Sequence, residues 1–176
     1  MQQSLIISLM APDRPGIVET IADTVSNEGG NWLDSRMARL NGQFAGIIHI
    51  NVEQSQSDSL KAALESLSDK GITLLVTNES ATTQSNQQRF MHIKVVGNDR
   101  PGIVKEISST IASCGANMEE LATYLGSIPG SGEPLFHAEG LIALPEALEV
   151  DDLCEKLEAI SDDLMIEIGA PEAANQ

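Results

Sequence analysis

One hexapeptide occurs twice in this chain, and it divides the chain into two copies of one module. Residues 13–18 read Asp-Arg-Pro-Gly-Ile-Val, and the same six residues return 86 positions later at 99–104. Between residues 13–31 and 99–117, 10 of 19 aligned positions are identical without a gap. Repetition at a fixed offset is the signature of a duplicated structural unit. The 176 residues therefore predict two small domains and not one large one.

The spacing of apolar residues predicts the same order of elements, βαββαβ, in both copies. In the first copy, residues 4–10 are apolar on both faces like a buried strand, a helical period follows Pro15-Gly16, and Asn41-Gly42 marks a hairpin. We therefore expect an α+β fold of two ferredoxin-like modules, each an antiparallel four-stranded sheet with both helices on one face. The predicted boundaries are 1–80 for the first domain, 81–89 for a polar linker, 90–169 for the second domain and 170–176 for a flexible tail.

Alternation within the first strand of each copy separates a helix-facing side from an open side. The side chains expected to face the helices are Leu5, Ile7 and Leu9, matched by Met91, Ile93 and Val95. The open side should present Ile6, Ser8 and Met10 in the first copy, and His92, Lys94 and Val96 in the second. The first open face is too apolar to lie fully in water, so we expect the linker, the sister module or another chain to cover part of it. This expectation leaves a homodimer open.

The two hairpins differ in length. Phe44 aligns best with Phe136, an offset of 92, so the second hairpin has gained residues within 126–134. This segment is rich in glycine and proline. It is either a tolerated insertion or a loop that covers a site or contacts a partner.

The chain is strongly acidic, with a formal net charge of −16. A surface of this sign repels nucleic-acid phosphates and anionic membranes, so we expect no direct DNA binding and no membrane binding. A basic protein partner is a better match. No apolar run of about 18 residues and no basic leader is found, which predicts a cytoplasmic protein.

The repeated motif can bind an anion. With Pro15 as the expected first helical residue, the amides of Gly16, Ile17 and Val18 have no helical acceptor and can hold a carboxylate. Asp13 and Asn31 offer oxygens to an ammonium group. The second copy repeats this set at Asp99, Gly102, Ile103, Val104 and Asn117. Both sets suit a free α-amino acid, although an aspartate there can also simply cap the helix and the asparagine can be a turn residue.

Signatures of catalysis and of metal binding are missing from the sequence. His49, His92 and His137 lack metal-ligand spacing with each other or with the cysteines. No nucleophile elbow, phosphate loop or dinucleotide-binding glycine loop occurs. We therefore expect no catalytic residue, no metal, no cofactor and no enzymatic activity.

The pattern of a strand, Asp-Arg-Pro-Gly-Ile-Val, a helix, and Gly-x-Asn before the next strand resembles the ACT domain, a module that usually senses amino acids. As a free-standing tandem pair, the chain resembles the glycine cleavage system transcriptional repressor family. This resemblance implies ligand contacts at Asp13 with Asn31 and at Asp99 with Asn117. It also implies a repressor that responds to a small amino acid, glycine being favoured, and acts through a DNA-binding activator protein. The alternative is a regulatory subunit that senses an amino acid for a metabolic enzyme.

Overall fold

The computed structural model describes residues 1–79, 88–127 and 132–171. The chain divides into two units, Met1–Thr82 and Thr83–Gln176. Most of the predicted linker 81–89 lies outside the described residues, as do positions 128–131 of the lengthened hairpin and 172–176 of the predicted tail. None of the helices within the described ranges is long and apolar enough to cross a membrane.

The first unit has the predicted βαββαβ order. Its elements are β1 (Gln2–Pro12), α1 (Ile17–Asn27), β2 (Asn31–Leu40), β3 (Gln43–Glu53), α2 (Ser57–Glu65) and β4 (Thr73–Asn78). The strands form an antiparallel sheet in the order β2-β3-β1-β4. Asn41 and Gly42 both have positive φ, 47° and 79°, which is the type I′ turn expected of a tight hairpin.

The second unit repeats this architecture. Its elements are β5 (Gln88–Asn98), α3 (Ile103–Ser113), β6 (Asn117–Ser127), β7 (Pro134–Pro145), α4 (Val150–Glu158) and β8 (Met165–Gly169). The sheet order is β6-β7-β5-β8, equivalent to that of the first unit. The predicted α+β class with two ferredoxin-like modules is confirmed. Gln88 and Arg89, placed in the linker by the sequence, begin β5 because they continue its pairing with β7.

Each sheet buries one face against its helices. Leu5 and Ile7 are fully buried, and Ile21 of α1 is buried at the expected helical spacing. Ile93 and Val95 take the equivalent places in the second core. The inward side of the first strand is therefore the one that the alternation predicts, and each unit has its own aliphatic core.

The open faces of the two sheets differ in chemistry. Met10, Ile47 and Leu75 lie on the first open face and are 56%, 54% and 64% exposed. On the second, Lys94 pairs with Glu139 at 3.5 Å and has Glu167 as its partner in register on β8. One open face is therefore apolar and the other is charged.

A close approach of two backbone segments requires glycine at one position of the second sheet. The pairing of β6 with β7 shifts register between Met118 and Glu120, which brings the carbonyl oxygen of Glu120 over Gly140. A Cβ at Gly140 would overlap that oxygen, which belongs to the backbone and cannot rotate away. By contrast, Gly169 has open space where its Cβ would be.

Gly140→Ala should therefore lower the free energy of unfolding of the second unit by about 1–3 kcal/mol, because the strands must separate locally. Gly169→Ala is the matched control and should change it by less than about 0.5 kcal/mol. Urea unfolding followed by circular dichroism measures both variants. Equal stability of the two variants would contradict the close approach.

Asp163 fastens the loop before β8 to the end of β5. Its carboxylate accepts hydrogen bonds from the backbone N–H of Asn98, at 2.9 Å, and from the hydroxyl of Ser161. These bonds, chiefly that of Ser161, favour the charged form and lower the pKa of Asp163.

A carboxyl with a lowered pKa in the folded state stabilises the fold above its unfolded-state pKa, and the contribution is lost as the pH falls through the folded-state pKa. Asp163→Asn should therefore reduce the loss of stability on acidification below about pH 4. Thermal unfolding between pH 2 and pH 7 tests this, with Asp162→Asn as the control for net charge. An identical pH dependence in the two variants would disprove the role given to Asp163.

Candidate functional site

The repeated motif forms a tight turn between a strand and a helix. Gly16 has φ 87° and ψ 4°, and Gly102 has φ 90° and ψ −2°. Proline followed by glycine at these angles is a type II β-turn, and the amide of Ile103 closes it on the carbonyl of Arg100 at 3.4 Å. The expected helix start at Pro15 is therefore wrong. The helix begins two residues later, at Ile17, because Gly16 takes the left-handed conformation.

The later helix start changes which amides are available. The Gly102 carbonyl accepts a hydrogen bond from the amide of Glu106 at 3.0 Å, so Gly102 is the N-cap. The amide of Ile103 is already hydrogen-bonded within the turn. Val104 and Lys105, at the second and third helical positions, have amides without a helical acceptor. The amides free to bind an anion are thus those of Val104 and Lys105, which lie further into the helix than the sequence predicts.

The two motif aspartates have different surroundings. Asp13 forms an ion pair of 2.6 Å with Nε of Arg39, and its amide donates to the Gly42 carbonyl. Among the described residues, no side chain pairs with the carboxylate of Asp99. The position equivalent to Arg39 is Leu125, since the repeat offset is 86 and both residues pair in register with a phenylalanine of the next strand.

The two motif arginines also differ. Arg14 donates to the carbonyl of Lys70. Arg100 makes a two-pronged ion pair with Glu106, and this contact raises the pKa of the guanidinium and lowers the pKa of the Glu106 carboxyl. The Arg100 guanidinium is therefore held in place by Glu106 and is already paired with a carboxylate.

The third helical position is occupied by opposite charges in the two modules. Glu19 holds it in α1, and its carboxylate oxygen lies 3.8 Å from where a Cβ on Gly16 would be. Lys105 is the equivalent residue in α3. A carboxylate near a helix N-terminus interacts favourably with the helix dipole, so Glu19 disfavours an external anion there without forming a capping hydrogen bond itself.

The motif aspartate and the asparagine of the same module lie at opposite ends of its first helix. Asp13 is at one end of α1 and Asn31 follows the other end, and an 11-residue helix spans about 16 Å. Asn31 instead lines a shallow groove along α1 with Trp32 and Val18. Asn117 is exposed and donates to Glu119 at 2.6 Å. Within one module, the aspartate and the asparagine are therefore not brought together, and their joint role stays a prediction.

The second module has a groove between α3 and β6. Its polar mouth is lined by Asp99, Arg100 and Gly102 together with Leu125. An apolar part continues under α3, with Ile107 and Ala138 among its walls. The residues shared by mouth and apolar part are Val104, Thr123 and Phe136. The charged mouth and the apolar part therefore adjoin each other.

Sequence reasoning missed Thr123 and Leu125 as site residues. Both are ordinary strand residues without a motif of their own. The repeat offset could have found them, because it aligns Thr123 with Met37 and Leu125 with Arg39. This part of the groove is lined by residues that differ between the two copies and not by residues that the copies share.

The histidine with the closest polar neighbours does not form a catalytic relay. Nε2 of His49 lies 2.6 Å from the Ser4 hydroxyl and 3.7 Å from the Glu79 carboxylate. A relay needs the serine and the carboxylate on different ring nitrogens, whereas here both face the same one. Across the described residues, no group of three or more His, Cys, Asp or Glu side chains is arranged to hold a metal ion.

Comparisons with known proteins agree with this architecture. Residues 3–76 match the family model of the ACT domain. The glycine cleavage system transcriptional repressors of Escherichia coli (strain K12) and Shigella flexneri are each 27% identical over 124 residues, which is 69% of this chain and 65% of theirs. The alignment thus spans less than two thirds of these relatives.

Two solved structures share the fold over nearly the whole chain. A protein of unknown function from Galdieria sulphuraria is 28% identical with a TM-score of 0.80, covering 98% of this chain and 100% of that one. A structure provisionally assigned as a glycine cleavage system transcriptional repressor is 19% identical with a TM-score of 0.70, covering 97% and 99%. Residues 3–76 are therefore similar to the ACT domain, and the chain resembles the glycine cleavage system transcriptional repressors.

Proposed function

We propose that this protein is a regulator that binds a small free amino acid and represses transcription through a DNA-binding activator protein. The observation that supports this most strongly is the duplicated Asp-Arg-Pro-Gly turn on two ACT-type modules. The similarity to glycine cleavage system repressors favours glycine metabolism as the controlled process and glycine as the first effector to test. We assign the protein no catalytic role, and we place it in the cytoplasm.

The chemistry of the turn suits both ends of an amino acid. The free amides of the first helical turn match a carboxylate, and the motif aspartate matches an ammonium group. The candidate residues are those of the sequence prediction, Asp13, Gly16, Ile17, Val18 and Asn31, with Asp99, Gly102, Ile103, Val104 and Asn117, although the amide of Ile103 is engaged by the turn. The amide of the following residue, Glu19 or Lys105, joins each set.

The charge of the chain supports a protein-mediated mechanism. A net charge of −16 opposes approach to DNA phosphates and favours a basic protein surface. Regulation then requires the effector to have different affinities for the free and the partner-bound protein.

A mobility-shift assay separates direct from indirect DNA binding. At physiological salt the protein alone should leave a glycine cleavage promoter fragment unshifted, because anion repulsion opposes contact. It should further retard the complex of that fragment with its activator protein, and glycine should change the amount needed.

Bovine serum albumin, another acidic protein, is the control for non-specific effects in this assay. Tight DNA binding by the protein alone, weakening steeply with salt, would contradict the indirect mechanism. No effect on the activator complex, with or without amino acid, would contradict the repressor assignment.

A further inference from the structure

We infer that the second module alone holds the effector site, and that this site selects an amino acid with a small aliphatic side chain. The inference rests on the proposed amino-acid sensing and adds which module binds and which side chain is preferred. Three differences between equivalent positions of the two modules support it.

The first difference concerns the ammonium group. Asp13 is neutralised by Arg39 at 2.6 Å, whereas Asp99 has no side-chain partner among the described residues and Leu125 stands where the arginine would be. An ammonium group that approached Asp13 would have to displace the arginine. At Asp99 it meets an exposed carboxylate that has no side-chain partner among the described residues, and it forms a charge-assisted hydrogen bond without displacing another cation.

The second difference concerns the carboxylate. The third helical position is Glu19 in α1 and Lys105 in α3, while the first-turn carboxylate of α3, Glu106, is paired with Arg100. Glu19 repels an incoming carboxylate and already interacts with the helix dipole. Lys105 brings no such repulsion, and its side chain lines a separate surface pocket with Ser109 and Thr110. The third helical position therefore opposes a ligand carboxylate in the first module and not in the second.

The third difference concerns the space beside the turn. Met37 lies over Gly46 in the first module and packs against the core, and a Cβ on Gly46 would overlap it. The equivalent pair in the second module is Thr123 and Ala138, which face each other in register and leave the groove open. The first module thus fills with its own side chain the space that the second module keeps free.

The size and walls of this space determine the preferred side chain. It has room for about one methyl-sized group, comparable to one water molecule. Its walls include Val104, Ile107 and Phe136. The nearby Ser108 hydroxyl donates a hydrogen bond to the carbonyl of Lys105. Glycine leaves the space empty, alanine fills it, and leucine exceeds it.

Titration calorimetry of the full chain with glycine, alanine and leucine tests the inference. Alanine should bind one molecule per chain and roughly fourfold more tightly than glycine, because one methyl group becomes buried. Leucine should bind more weakly than alanine because the space must be forced open.

Two pairs of variants assign the module by exchanging equivalent residues. Thr123→Met and Leu125→Arg give the second module the side chains of the first, and each should weaken alanine binding at least tenfold. Met37→Thr and Arg39→Leu are the matched changes in the first module and should leave the affinity within about twofold. Circular dichroism confirms that all four variants are folded, and Leu125→Arg, at an exposed position, keeps the test valid if Thr123→Met unfolds.

The outcomes separate this inference from the proposed function. Three results would overturn the inference and leave the sensing function standing. They are two binding sites per chain, an equal loss of alanine affinity in both pairs of variants, or tighter binding of glycine than of alanine. Absence of binding by the parent protein for every amino acid would overturn the sensing function and the inference with it.

Discussion

The left-handed glycine of the repeated motif is the constraint on which the rest of each module depends. Gly16 and Gly102 have φ near 90°, a conformation that costs other residues about 1 kcal/mol or more. This turn directs the chain from the end of the first strand into the helix over a very short distance. It sets the helix on the sheet, places the aspartate at the mouth and aims the first free amides outward.

Much of the fold follows from local signals in the sequence. The alternation around Leu5 and Ile7 identifies the buried side of the first strand, and Asn41-Gly42 identifies the hairpin, because both depend on residues adjacent in the chain. The helix start was misplaced because Pro-Gly is compatible with a first helical turn and with a type II turn. The choice between them depends on the φ that the glycine adopts.

The candidate site was only partly predictable, because its distinguishing contacts are long-range. Asp13 pairs with Arg39, whereas Asp99 has no side-chain partner in the described part of the chain and Leu125 takes the place of the arginine. Strand register sets this difference. Both copies retain the motif after the duplication. Substitutions on the neighbouring strand change the side chains that surround it. The space beside the turn is filled by Met37 in one module and left open beside Thr123 in the other, so identical turns have unequal surroundings.

Two-dimensional amide NMR of the ¹⁵N-labelled chain, titrated with alanine, tests this account most directly. The amide signals of Val104 and Lys105 should move as binding saturates, since they face the ligand carboxylate. Those of Val18 and Glu19, at the equivalent positions of the first module, should stay in place because the Glu19 carboxylate repels an anion at that helix start. Equal movement of both pairs, or movement of the first pair alone, would contradict the assignment of the effector to the second module.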